Sequence, residues 1–214
     1  MLATKIKNED EILKYLEKKV IVFKCFGCKE VYFPEEGINE FLKKNNQNII
    51  EIIKIDYLCN EEFAETIVNK NIKKFEKCEN IIVFSCGVGV QVISKILIED
   101  KKVYKNISVG CDSFCLDGFQ GITAQKYSCS GCEECYLNWT GGICPFTSCL
   151  KGLLNGPCGG ADKNGKCEVN RSRDCAWIKI YEKMKKLGID KNLKENDIFI
   201  KNYLLMGKKK EFPL

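Results

Sequence analysis

Fifteen cysteines and not one histidine in 214 residues limit the chemistry open to this chain. Eight of the cysteines fall between Cys129 and Cys175, starting with Cys129-x-x-Cys132-x-x-Cys135 and running on through Cys144-Pro145. A free cysteine is ordinarily a small buried hydrophobe. This spacing, however, lets one short loop aim several sulfurs at one centre, as in proteins that hold iron–sulfur clusters. Without imidazole, the ligand set is sulfur-rich.

Three uses of those sulfurs compete: disulfides, zinc and iron–sulfur clusters. The start of the chain, Met1 to Asp10, has no apolar core of a signal peptide and no small-residue cleavage site. The expected compartment is therefore the cytoplasm, where thiols are kept reduced. An odd count also fits a fully paired framework poorly. Zinc held by four thiolates remains open, since structural sites accept all-sulfur ligands in closely spaced pairs. Two features favour iron: the triple run followed by Cys-Pro, and a second cysteine set in the first half that does not look like a zinc ribbon.

That second set depends on the elements that carry it. β-rich runs at Val20–Phe23, Ile49–Asp56, Ile81–Phe84 and Val103–Val109 alternate with helical stretches near Glu35–Lys44, Glu61–Glu76 and Val88–Ile98. An earlier helix starts after Asn8, with Glu11 placed to complete a capping box. Strands about thirty residues apart with a helix between them are βαβ units. They predict a small three-layer α/β domain with a parallel sheet over residues 1–122. Cys25 and Cys28 then follow the first strand, Cys59 the second and Cys86 the third. These ends lie together at the edge where such sheets place ligands. Any one of these cysteines alone reads as a small residue ending a buried strand. Four at equivalent positions read as one metal-cluster site.

Cys86-Gly87-Val88-Gly89 opens a helix after a strand, yet Val92 stands where a dinucleotide loop needs its third glycine. The amides there are instead suited to hydrogen-bond cluster sulfurs. Cys78, between Lys77 and Glu79, reads as a spare thiol. Gly110-Cys111-Asp-Ser-Phe-Cys115 reads as loop, its two cysteines weaker candidates as ligands.

From 123 to 175 the chain loses periodicity and gains glycine, so it has too little apolar material for a core of its own. Metal must supply its folding energy. Its cysteines, Cys129, Cys132, Cys135, Cys144, Cys149, Cys158, Cys167 and Cys175, suffice for two four-sulfur sites whose pairing spacing alone does not give. Over 176–214, Trp177, Ile180, Tyr181, Met184 and Leu187 recur at helical spacing up to Gly188. Gly207–Leu214 reads as a solvated charged tail.

The formal charge is +5, with lysines spread along the chain and no interleaved aromatic stripe, which argues against nucleic acid. Three [4Fe-4S] clusters, each adding about −2, would bring that +5 to about −1. No apolar run is long enough for a membrane span.

Cys86-Gly-Val-Gly-Val-Gln91, Thr140-Gly-Gly-Ile-Cys-Pro145, Leu153-Leu-Asn-Gly-Pro-Cys-Gly-Gly160 and Gly165-Lys-Cys-Glu-Val169 with Cys175-Ala-Trp177 resemble the methylenetetrahydrofolate reductase C-terminal family. The likeness is to its free-standing MetV-type iron–sulfur form from acetogens. It implies two to three [4Fe-4S] clusters, with zinc an option at one C-terminal site. It also implies a MetF-type flavoprotein partner carrying FMN or FAD, and ferredoxin or another protein as electron donor, in the Wood–Ljungdahl pathway of anaerobes. Cys111 and Cys115 depart from the family pattern. The residues agree with an accessory role: there is no histidine for general base work and no evident flavin or folate pocket. The expected function is an electron relay to the partner's flavin. A zinc-folded docking adaptor is the alternative, and an enzyme acting alone is the weakest reading.

Overall fold

The computed structural model describes residues 1–116, 118–195 and 200. In chain order the elements are β1 (Leu2–Ile6), α1 (Glu9–Leu16), β2 (Val20–Phe26), β3 (Val31–Tyr32), α2 (Glu35–Lys44), β4 (Ile49–Asp56) and α3 (Glu61–Asn71). Then come β5 (Asn80–Phe84), α4 (Gly87–Ser94), β6 (Asn106–Val109), β7 (Cys111–Cys115), β8 (Ile122–Ala124), β9 (Tyr127–Cys129), α5 (Pro145–Ser148), α6 (Ala176–Leu187) and α7 (Asn192–Glu195).

The main sheet runs β4-β2-β5-β6 and is parallel throughout. Side chains alternate across a strand, and here both sets are apolar. Ile21, Phe23, Ile81 and Val83 face α3 and α4 in one core. Val20, Val22, Ile82 and Phe84 face α1 and α2 in the other. A sheet buried on both faces with helices on each is the expected three-layer α/β arrangement. Lys24, the charged residue buried in β2, is satisfied by Glu35 Oε1 and Asn39 Oδ1, each 2.7 Å from its Nζ, and so fastens α2 to the sheet.

Several local expectations need correction. β2 continues to Phe26, so Cys25 lies inside the strand rather than after it. β6 starts at Asn106 rather than Val103. The helix from Glu61 tightens to a 3-10 form over Ile72–Lys77, and α4 loosens into a π-helix over Lys95–Asp100. Asn8 caps α1 through Asp10 N, while Glu11 pairs with Lys7 at 3.2 Å and completes no capping box. Residues Cys111–Cys115, expected as loop, form β7 because β1 offers them an antiparallel edge, with Leu2 opposite Cys115 and Ile6 opposite Cys111. β3 adds to the other side of β1, giving a second sheet of order β3-β1-β7.

The rest of the chain folds back on this body. Ile122, Tyr127, Cys129, Cys135 and Cys144 pack against the core on the α3–α4 side. On α6, Trp177, Ile180 and Met184 are buried as the helical spacing requires, whereas Tyr181 is exposed. Gly188 ends the helix at φ 70°, the left-handed conformation that glycine adopts at least cost. The charged tail from Gly207 lies outside the described residues. Among the described residues no helix is long and apolar enough to cross a membrane.

Candidate metal centre

The parallel sheet fixes the first set. Cys25 is the penultimate residue of β2, Cys59 follows β4 by three residues, and Cys86 is the N-cap of α4 just beyond β5. Cys28 stands on the loop after β2, where Gly27 turns the chain at φ 72°. Glycine adopts that φ at least cost, and a Cβ there would also make the Asp56 carboxylate move aside. All four sit on or against one core at the carboxyl edge of the sheet. Cys78, also buried, lies at the opposite end, ahead of β5, with its Sγ 3.5 Å from Phe75 O.

The electrostatics record which sulfurs are neighbours. Burial pushes the Cys25 thiol up to about 12, Cys28, Cys59 and Asp56 add to the rise, and a Leu58 N–H opposes it. Burial also drives Cys86 far above the ordinary thiol range. Cys129 is the first charge to add to that shift and Cys25 follows, while N–H groups of Gly89 and Val88 hold it down. Such thiols keep their protons near neutral pH unless a cationic centre replaces them.

The second set meets the first at α4. Burial pushes Cys129 up to about 11; a Gly131 N–H lowers it, Cys144 and Cys132 raise it, and the Ser113 side chain lowers it. Cys135 is raised by burial, with Cys129, Cys132 and Asp112 adding. Asp112 holds this loop. Its Oδ1 accepts from Cys135 N at 2.9 Å and from the buried Lys7 Nζ at 3.1 Å, and Lys7 also lies over the Trp139 ring. No local pattern signals this support, because Asp112 stands in a loop-like stretch and its partner Lys7 lies 105 residues away.

The third set is built differently. Cys149, Cys158, Cys167 and Cys175 line one small cavity with Lys151, Glu168 and Trp177. Lys166 and Asp174 pair as an isolated antiparallel bridge. Cys167 N donates to Arg173 O and Cys175 N to Gly165 O, each at 2.8 Å, so both cysteines rise from one hairpin. Gly160 N lies 3.4 Å from Cys158 Sγ. The eight late cysteines thus divide into 129/132/135/144 and 149/158/167/175, with α5 between the two groups.

Among the described residues, no three cysteine or acidic side chains converge tightly enough to hold a metal ion as placed. The sets are neighbours rather than finished cages. The donors nevertheless suit a thiophilic centre: they are thiols, and backbone N–H groups reach the sulfurs of Cys25, Cys86, Cys129 and Cys158. A glycine stands two residues after Cys25, Cys129 and Cys158. Amides directed at thiolate sulfur stabilise its charge and tune a bound metal. Of the weaker candidates, Cys111 is buried in the core on the α1–α2 side, where burial raises its thiol and the charges of Asp112 and Cys25 add to the rise. Cys115 packs near them, with Sγ 3.4 Å from Ser130 O.

Fold and site together define an α/β protein that carries grouped cysteines on the carboxyl edge of its sheet and on an appended hairpin. A family model described as methylene-tetrahydrofolate reductase C terminal matches residues 108–203, so the resemblance read from the sequence is met over that stretch. The match contains the second and third sets and leaves Cys25, Cys28, Cys59 and Cys86 outside it. Comparison with curated proteins and with solved structures finds no match.

Proposed function

We propose that this chain is the electron-supplying subunit of a methylenetetrahydrofolate reductase system, with iron–sulfur clusters held by the first two cysteine sets. The observation that carries the reading is the grouping itself: Cys25, Cys28, Cys59 and Cys86 stand at the carboxyl edge of the sheet, and Cys129 with its neighbours Cys132, Cys135 and Cys144 meets them at α4, beside amides suited to thiolate. When bound, a cluster supplies one-electron redox chemistry. The chain's own part is to bury the thiols, direct N–H groups at them and exclude water. The chemistry on the folate belongs to a MetF-type flavoprotein partner with FMN or FAD, fed by ferredoxin or a similar donor. The setting is the cytoplasm of an anaerobe.

The third set has a second reading. Its exposed hairpin of closely spaced cysteines also suits four-thiolate zinc, whose role is structural. In that form residues 149–175 are a zinc-folded docking element attached to the relay.

Oxygen-free purification followed by iron, sulfide and zinc analysis tests both readings. The expected result is iron and acid-labile sulfide in equal amounts, with or without one zinc. Zinc without sulfide would overturn the relay and leave the adaptor. In the reconstituted complex, Cys86→Ser is expected to lower electron input from the donor while the partner's flavin content stays unchanged.

A further inference from the structure

Helix α4 touches the first two cysteine sets at once. All eight of its residues are buried. Cys86 caps its start, and on Gly87 an added Cβ would stand 3.0 Å from Cys129 Sγ and 3.5 Å from Cys129 Cβ. Gly87 is not among the glycines with positive φ, so its backbone would accept a side chain. An added methyl would make the Cys129 sulfur give by a few tenths of an ångström, so glycine is what allows this close approach. One turn along, the buried Gln91 directs its single Nε2 at two carbonyls, Gly87 O at 3.0 Å and Ser128 O at 2.9 Å. The first carbonyl belongs to the residue after Cys86 and the second to the residue before Cys129. Thr147, three residues after Cys144, donates to the same Ser128 O at 3.2 Å.

We propose that Gly87 and Gln91 are positioning residues that fix the separation between the Cys86 and Cys129 sets, so that the two bound centres act as one interacting pair. The inference rests on the iron–sulfur reading above. An electron crossing between them oxidises one centre by one electron and reduces the other by one. No proton moves and no bond is made or broken; the reductant is a one-electron donor protein, or dithionite in the test below. Gln91 is well suited to the task. A buried amide that loses its partners is costly, so the two carbonyls it joins are held in register. Glycine at 87 lets the helix start lie directly on the sulfur of the neighbouring set.

The test uses the full chain, prepared without oxygen, reduced with dithionite and examined by electron paramagnetic resonance beside iron and sulfide counts. Wild type is expected to give a broadened or split signal from two interacting centres. Gly87→Ala, which makes the Cys129 sulfur give by a few tenths of an ångström, and Gln91→Leu, which removes both bonds between the helix start and β9, are expected to change the size of that splitting at unchanged iron content. Gln91→Glu keeps the shape, loses both donors, and is expected to behave as Gln91→Leu does. Normal iron with two non-interacting centres in wild type overturns this inference alone. A splitting identical to wild type in all three variants overturns the roles of Gly87 and Gln91. A preparation with neither iron nor sulfide overturns the underlying reading as well.

Discussion

The sheet-edge cysteines and the hairpin cysteines rest on different kinds of support. Cys25 lies at the end of β2, Cys59 and Cys86 follow β4 and β5, and β5 is buried along its whole length. That edge exists whether or not metal is bound, because apolar burial on both faces of the sheet builds it. By contrast, no residue from 146 to 175 is buried. Around Cys149, Cys158, Cys167 and Cys175 the chain has turns, short ion pairs and one two-residue bridge, and only Cys149, Leu153 and Cys175, each half-buried, pack on the Trp177 cluster, which offsets little of the entropy of ordering it. One region presents thiols on a finished scaffold. The other is a scaffold only when its thiols are tied together.

The sharpest way to break that contrast is to take the metal away. Chelation, or Cys167→Ser, is expected to unfold residues 149–175 while the main sheet keeps its hydrogen-exchange protection. The loss is on the order of 10 kcal/mol, the scale of a structural zinc site in a small domain. Limited proteolysis would show new cuts confined to that stretch. Equal loss of protection in β2 and β5 would show that the two regions fold as one and that the contrast is wrong.

A smaller effect sharpens the contrast from the other side. Asp112 holds the Cys135 loop with one oxygen and neutralises Lys7 with the same oxygen. Its replacement by alanine leaves a buried ammonium with Glu11 as its remaining carboxylate partner. Asp112→Ala should therefore lower the stability of the α/β body by about 3 kcal/mol, and Asp112→Asn by less. Denaturant midpoints measure both. A change under about 1 kcal/mol would mean that the loop needs no such anchor.

How much of this was legible follows from which interactions are local. β4 and α2 fall at the expected bounds, Ile49–Asp56 and Glu35–Lys44, because each pattern is complete within one element. That Cys25, Cys28, Cys59 and Cys86 fall at the carboxyl edge of the sheet was also legible, since a parallel sheet fixes which ends are neighbours. β1 and β7 were not. Each is five residues long, and each exists through a partner more than 100 positions away. The Asp and Ser of β7 argue locally for a turn, yet Ser113 is buried and Asp112 is committed to Lys7 and Cys135. The division of the late cysteines was equally hidden. It depends on β9 lying against α4 and on the hairpin closing at Lys166 and Asp174, neither of which leaves a trace in spacing.

The smallest effect concerns the helix that connects the two regions. On α6, Lys183 is buried with Nζ 2.9 Å from Glu99 Oε1, while Glu99 is itself half exposed. Burial pushes the Lys183 ammonium below its ordinary value of 10.5, and the Glu99 charge offsets only part of that shift. Between the lowered folded value and the unfolded one, the unfolded chain binds more protons. Stability contributed by this site therefore rises as pH climbs through that window, and the full penalty for the buried charge is present below it. Lys183→Met removes the penalty and leaves Glu99 to water, so neutral-pH stability should match or exceed wild type by up to about 1 kcal/mol. The informative quantity is the difference between the two proteins against pH, because every other titrating group cancels. The variant's advantage should shrink as alkaline pH discharges Lys183. An advantage that is absent at neutral pH and grows with alkalinity would mean that the ion pair with Glu99 is a net attachment of α6, and that this helix is held to the sheet body by charge as well as by Leu187 against the main core.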